Sequence, residues 1–139
     1  LHARALALRL AQLGILTVHN FDAMHMTASL AAARRDDVLL AFSEHGQQPA
    51  LCQLAQYMRS QHGRVVTVTR HSANALRALA DQALLVSAHD ERPQIERLLY
   101  HSALQHLLDR LFIRLHEADG GRRTQLLQTL ERIQPLLDP

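Results

Sequence analysis

At 139 residues, 47% of them apolar, the chain has the length of one domain with a sizeable core and is too apolar for disorder. All 15 basic residues are arginine against 13 acidic ones, a formal net charge of +2; this excludes Schiff-base chemistry and a lysine-dependent phosphate loop, and so small and scattered a charge argues against direct nucleic-acid contact. The single Cys52 excludes an internal disulfide framework and fits a reducing compartment, and no apolar run reaches the length of a membrane helix or is flanked like a signal peptide.

Residues 1–13 read as a helix, with Leu6, Leu10 and Leu13 at i, i+4 and i+7 and Gly14 as a stop. Residues 15–19 are a short β-branched strand, 20–22 a loop, and 23–33 an alanine-rich second helix. Residues 34–37 return the chain to an apolar strand that ends at Ser43. A polar turn with one glycine follows, then Pro49 in a first helical turn, then an apolar face of Leu51, Leu54, Ala55 and Met58. Gly63 is expected to close that helix. Residues 64–69 read as a strand buried on both faces, 70–73 as its exit loop, 74–80 as a short helix with Leu76 and Leu79 inward, and 82–87 as another apolar strand.

Asp90 can cap a long helix with Pro93 in its first turn, running to about Glu117. Its apolar positions cover more than one stripe, which points to a partner subunit as well as to the domain core. Gly120 and Gly121 break the chain, and residues 122–134 form a last amphipathic helix through Leu126, Leu130 and Ile133, ended by Pro135. Strand and helix alternate throughout, so the fold class is α/β with a parallel sheet and helices on both faces.

The segment that organises this pattern is the strand, turn and helix start around residues 37–49. In an open parallel sheet, ligands sit at the carboxyl ends of strands, and free backbone N–H groups at a helix N-terminus suit an anion. The ligand site is therefore expected at Ser43, His45, Gly46, Gln47 and Gln48, with Thr69, Arg70 and Ser72 at the same end of the sheet and Glu91 before the long helix. Ser43 can bond a ligand oxygen or cap its own turn. Gly46 can permit close approach or simply turn the chain. Gln47 and Gln48 can bond ligand hydroxyls or lie in solvent. His45 can add charge or shuttle a proton, or be an exposed loop residue without a role. Arg70 can clamp a phosphate or stay at the surface. Glu91 can serve as a carboxylate for chemistry or only favour the helix N-terminus. Asp36, Asp37 and Asp81 precede strands at the opposite end and are read as structural. The ten histidines lack ligand spacing, so no metal or other cofactor is expected.

Five stretches carry a family resemblance: Leu10-Ala11-Gln12-Leu13-Gly14, the run from Asp37 to Gly46, Gly63-Arg64-Val65-Val66-Thr67-Val68-Thr69, Leu79-Ala80-Asp81, and Leu108-Asp109-Arg110-Leu111-Phe112. In their order and spacing the chain, to about Leu115, resembles a SIS (sugar isomerase) domain, most of all those of RpiR-type bacterial transcription regulators. The resemblance implies a flavodoxin-like parallel sheet that binds a phosphosugar. In the regulators the ligand controls an N-terminal helix-turn-helix domain, which is not in this chain; nor is the family's first strand, with its glycine-rich phosphate turn. The expected organisation is thus an N-terminally truncated SIS domain over residues 1–117 and a helical extension over 118–139.

Where the family loop commonly reads Ser-x-Ser-Gly-x-Thr, Ser43 and Gly46 match while His45 and Gln48 replace two hydroxyl residues. Asn74-Ala75-Leu76 stands where Ser-Pro-Leu is usual. The expected function is a phosphosugar-sensing, dimerising effector domain in the cytoplasm, without chemistry, that binds a phosphorylated sugar or amino sugar and reaches DNA only through the absent domain, with no membrane contact. The alternatives are a sugar-phosphate (aldose–ketose) isomerase, for which only Glu44, His45, His71 and Glu91 are placed to act, and a SIS domain used only for dimerisation.

Overall fold

The structure is a computed structural model and describes residues 2–12, 23–35 and 37–118. In chain order the elements are α1 (His2–Gln12), α2 (Ala23–Ala31), β1 (Val38–Phe42), α3 (Pro49–Ser60), β2 (Arg64–Arg70), α4 (Ala75–Ala78), β3 (Gln82–Val86) and α5 (Pro93–Ala118). The expected strand at 15–19, the expected helix at 122–134 and Asp36 lie outside the described residues.

Three strands form one parallel sheet in the order β1-β2-β3. In register, Ala41 of β1 faces Thr67 of β2, and Thr67 faces Ala83 of β3. The central strand is the most β-branched segment of the chain, and Val65, Thr67, Val68 and Thr69 are all fully buried in it. By strand alternation, Val65, Thr67 and Thr69 share the side covered by α3 and α4, where Leu54, Ala55, Met58 and Leu76 pack with Ala41, Val65 and Leu30 of α2. Arg70 is on the other side, where Tyr100 of α5 lies over it. Helices thus cover both faces around the sheet, as an α/β reading requires.

The chain divides into two compact units. One spans residues 20–104 and holds the sheet; the other joins residues 1–19 to 105–139. Within the second unit, Arg9 of α1 is ion-paired to Asp109 of α5, Gln105 Nε2 donates to Asp109 Oδ1 at 2.9 Å, and the Arg9 guanidinium lies over the Phe112 ring at 5.8 Å. The Leu108–Phe112 stretch of the family pattern therefore holds α1 through an aspartate and a ring.

The end of α3 differs from expectation by one residue. Gly63 does not take the left-handed conformation; His62 does, with φ +63°. His62 N donates to Arg59 O at 3.0 Å and Gly63 N to Met58 O at 3.1 Å, so the last carbonyls of the helix are satisfied by a Schellman arrangement with histidine in the place glycine usually fills. Gly63 is needed for space instead: a β-carbon there would stand 2.6 Å from Met58 Cε, and Met58 is fully buried. An L-residue in the left-handed region is strained by about 1 kcal/mol relative to glycine. His62→Gly is therefore expected to raise stability by roughly 0.5–1 kcal/mol, measured as a higher midpoint in urea; a lower midpoint would contradict this account of the turn.

Candidate functional site

The carboxyl end of β1 runs into a turn whose geometry is set by two residues. Ser43 N donates to Val68 O at 3.1 Å, extending the parallel ladder one residue beyond the strand. The Ser43 Oγ then accepts from Gly46 N at 3.1 Å, which closes the turn. Gly46 has φ +65° and is buried against Asn74: a β-carbon on it would meet Asn74 Oδ1 at 1.9 Å. Its carbonyl accepts from Leu76 N at 2.9 Å. The loop is thus tied to β2 on one side and to the start of α4 on the other.

Gln48 is the residue before α3 and makes no side-chain cap, and Pro49 at the first helical position has no N–H to satisfy. The N–H groups of the first turn consequently have no side-chain oxygen of the N-cap across them. Gln47 and Gln48 are exposed beside them, as is His45. Among the expected candidates, this groups Ser43, His45, Gly46, Gln47 and Gln48 in one short segment.

The β2 exit places the other candidates differently. Thr69 is fully buried; its Oγ1 donates to Arg70 O at 2.8 Å and accepts from Asn74 Nδ2 at 3.0 Å. Ser72 is exposed, and its carbonyl accepts from the same Asn74 amide at 3.0 Å. Asn74 Oδ1 accepts from Arg77 N at 2.8 Å and caps α4. The asparagine at the family's Ser-Pro-Leu position therefore joins the β2 exit, the helix cap and the Gly46 turn. An asparagine directly before a helical segment is a common cap, and that was the signal available for it.

Arg70 has only 13% of its side chain exposed. Its Nε and Nη2 donate to Glu44 Oε1 at 3.1 and 2.6 Å, and its Nη1 donates to Glu96 Oε1 at 2.9 Å and to Ala88 O at 3.2 Å. The guanidinium lies 4.9 Å from the centre of the buried Tyr100 ring. The fork is thus engaged by two carboxylates and a carbonyl. Partial burial pushes the Glu44 carboxyl up, but the hydrogen bonds and charge of Arg70, with His45 and Arg97 adding, hold it below its ordinary value. Burial, then the Glu44 charge, raises the Tyr100 hydroxyl. Neither Glu96 nor Tyr100 stood out in the sequence.

Glu91 is exposed two residues before α5, where Asp90 Oδ1 accepts from Arg92 N at 2.8 Å. At the opposite end of the sheet, Asp81 Oδ2 accepts from Val65 N at 2.8 Å and Asp37 Oδ2 from Arg34 N at 2.7 Å, so both serve the backbone. Among the described residues no three His, Cys, Asp or Glu side chains are grouped to hold a metal ion, and no helix is long and apolar enough to cross a membrane.

The sheet, the turn and the helix start match a known domain. A family model of the SIS domain matches residues 1–113. The chain belongs to the SIS domain family. Among solved structures, this SIS domain is similar to the Vibrio vulnificus NanR protein complexed with ManNAc-6P, with a TM-score of 0.81 and 22% identity over 99% of this chain and 52% of that one. It is also similar to the sugar isomerase domain of an RpiR transcription factor from Sphaerobacter thermophilus, with a TM-score of 0.75 and 17% identity over 94% of this chain and 72% of that one. A third is an Escherichia coli CFT073 protein in complex with A5P, with a TM-score of 0.72 and 19% identity over 92% and 69% of the two chains. At these identities the likeness is one of fold. The chain spans about half the length of the NanR chain. No curated protein matches the sequence significantly.

Proposed function

We propose that this SIS domain is the phosphosugar-sensing part of a cytoplasmic bacterial transcription regulator, acts without chemistry of its own, and works as a homodimer. The observation that carries the reading is the loop 43–48: a turn closed by Ser43 and Gly46 at a strand terminus, leading into an α3 N-terminus without a side-chain cap. Such a helix start gives about 0.3–1 kcal/mol to an exposed anion, and hydrogen bonds from the loop add to it. The NanR and Escherichia coli structures that this domain resembles are complexes with ManNAc-6P and A5P. Ser43, His45, Gly46, Gln47, Gln48 and Ser72 are assigned to the ligand, and Thr69 and Arg70 to the frame behind it.

Several details support binding over isomerisation. An aldose–ketose isomerase needs a free base beside the carbonyl. Here Glu44 and Glu96 are both engaged by Arg70, Glu44 is held ionised and weakly basic, and Glu91 is exposed outside α5.

Calorimetry with ManNAc-6P, A5P and a wider panel of phosphosugars tests the assignment. Binding of at least one, weakened about fivefold to tenfold in Ser43→Ala, is expected for loss of one hydrogen bond. Equal binding by both proteins would remove Ser43 from the site, and turnover of any of them, lost in Glu91→Gln, would move the domain to the isomerases.

The dimer assignment rests on α5, which exposes Leu98 by 62%, Leu99 by 41% and Ile113 by 52%. These apolar side chains lie outside the domain core, as a subunit contact requires. Light scattering at micromolar concentration is expected to give a dimer, and Leu98→Arg with Leu99→Arg a monomer of unchanged helix content. A wild-type monomer would rule the dimer out.

A further inference from the structure

We infer that Arg70 is a positioning residue: it holds the Glu44 carboxylate out of the ligand loop and fastens that loop to α5 through Glu96. The inference rests on the phosphosugar reading above and adds to it how the site tolerates an anion and where the loop is anchored.

Glu44 is the second residue of the loop, directly after Ser43, and a free carboxylate there would repel any phosphate at the α3 N-terminus. Instead, both its backbone and its side chain are taken up by one residue. Arg70 N donates to Glu44 O at 2.9 Å, and two guanidinium nitrogens converge on Glu44 Oε1. This two-nitrogen grip sets the direction of the side chain, which a single charge contact would not. The next residue, His45, has its Nε2 3.9 Å from the same oxygen.

The remaining donors of Arg70 lead away from the loop. Nη1 reaches Glu96 and the carbonyl of Ala88, and the guanidinium plane is backed by Tyr100, which is 4% exposed. Glu96 and Tyr100 sit four residues apart on α5, so they present one face of its first turns to the arginine. Four segments therefore meet on one side chain: the loop after β1, the end of β2, the exit of β3 and the start of α5. A lysine could not make this junction, because its single ammonium lacks the planar fork.

Charge removal separates positioning from direct ligation. The binding of ManNAc-6P, and of inorganic phosphate as a second probe, is measured by calorimetry in the wild-type protein, Glu44→Gln, Arg70→Gln and the double variant, each checked for native helix content. Arg70→Gln frees an uncompensated carboxylate beside the anion and is expected to weaken binding about tenfold or more. Glu44→Gln removes the charge and is expected to bind as well as wild type or better. The double variant is expected to return to within about threefold of wild type.

A double variant as weak as Arg70→Gln would overturn the inference, since the guanidinium would then be acting on the ligand itself. So would a loss of binding in Glu44→Gln. If the wild-type protein binds neither probe, the phosphosugar reading fails and the anchoring is decided by hydrogen exchange. Faster exchange of the amides of residues 44–48 and 94–100 together in Arg70→Gln supports it, and unchanged exchange at either segment overturns it.

Discussion

Gly46→Ala is expected to lower stability by about 2–4 kcal/mol. Three terms act at once. The backbone of Gly46 is left-handed at φ +65°, which strains an alanine by about 1–2 kcal/mol. The new β-carbon would stand 1.9 Å from Asn74 Oδ1 and 2.3 Å from its Cγ, so the asparagine must move. In moving it gives up the α4 cap on Arg77 N, a loss of about 1 kcal/mol, and its bonds to Thr69 and Ser72. The steric part can be separated from the backbone part. Asn74→Ala removes the cap but opens the space, so Gly46→Ala should cost less in an Asn74→Ala background than in wild type. Urea denaturation of the four proteins measures this coupling. A loss below about 1 kcal/mol for Gly46→Ala alone would show that the turn relaxes freely and that glycine is not required there.

That contact also marks how much of the site could be read in the amino-acid order. The central strand is legible because a parallel strand covered on both sides must be a continuous apolar and β-branched run, as 64–70 is, and the flanking strands because 38–42 and 82–86 are short apolar runs between polar turns. Pro49 marks the start of α3 because its missing N–H and fixed φ suit no helix position better. Each of these signals is local. The junction at Arg70 is not: Glu44 and Glu96 each lie 26 residues from it, one before and one after, and no spacing rule connects them. An arginine at the end of a strand reads equally well as a phosphate clamp or a surface charge. Only the fold, by bringing the β1 turn and α5 to one side of β2, decides what its fork meets. The α3 terminus failed for another reason. Two adjacent residues, His62 and Gly63, compete for the left-handed place, and the propensity of glycine pointed to the wrong one because Gly63 is needed as space for Met58.

Arg70→Met is the second substitution with a large expected effect, and its pH dependence carries the sign that identifies the cause. Methionine keeps an unbranched apolar side chain beside Tyr100 but leaves Glu44 and Glu96 without the guanidinium that joins them. Removing one partner of a fully buried pair costs about 3–5 kcal/mol; with Glu44 and Glu96 side chains 28% and 32% exposed, water takes up part of the charge and about 2 kcal/mol is expected at neutral pH. In the wild-type protein the Glu44 carboxyl lies below its ordinary value of 4.5, so its contribution to stability is complete above that value and is lost as pH falls through the folded value. In Arg70→Met burial, which raises the carboxyl, remains, while the main lowering influence, the hydrogen bonds and charge of Arg70, is gone and only His45 and Arg97 still oppose it. The variant should therefore be relieved by protonation where the wild type is weakened by it. The stability difference between the two proteins is expected to be greatest near neutral pH and to narrow steadily as pH falls below 5. Adding Glu44→Gln to the variant should remove most of this pH dependence and recover much of the loss at neutral pH, whereas Arg35→Gln, a charge change at an exposed position before β1, should leave the profile unaltered. Denaturation midpoints collected from pH 4 to pH 8 decide it: a difference between wild type and Arg70→Met that stays constant over that range would mean that lost packing, and not the unmatched Glu44 carboxylate, destabilises the variant.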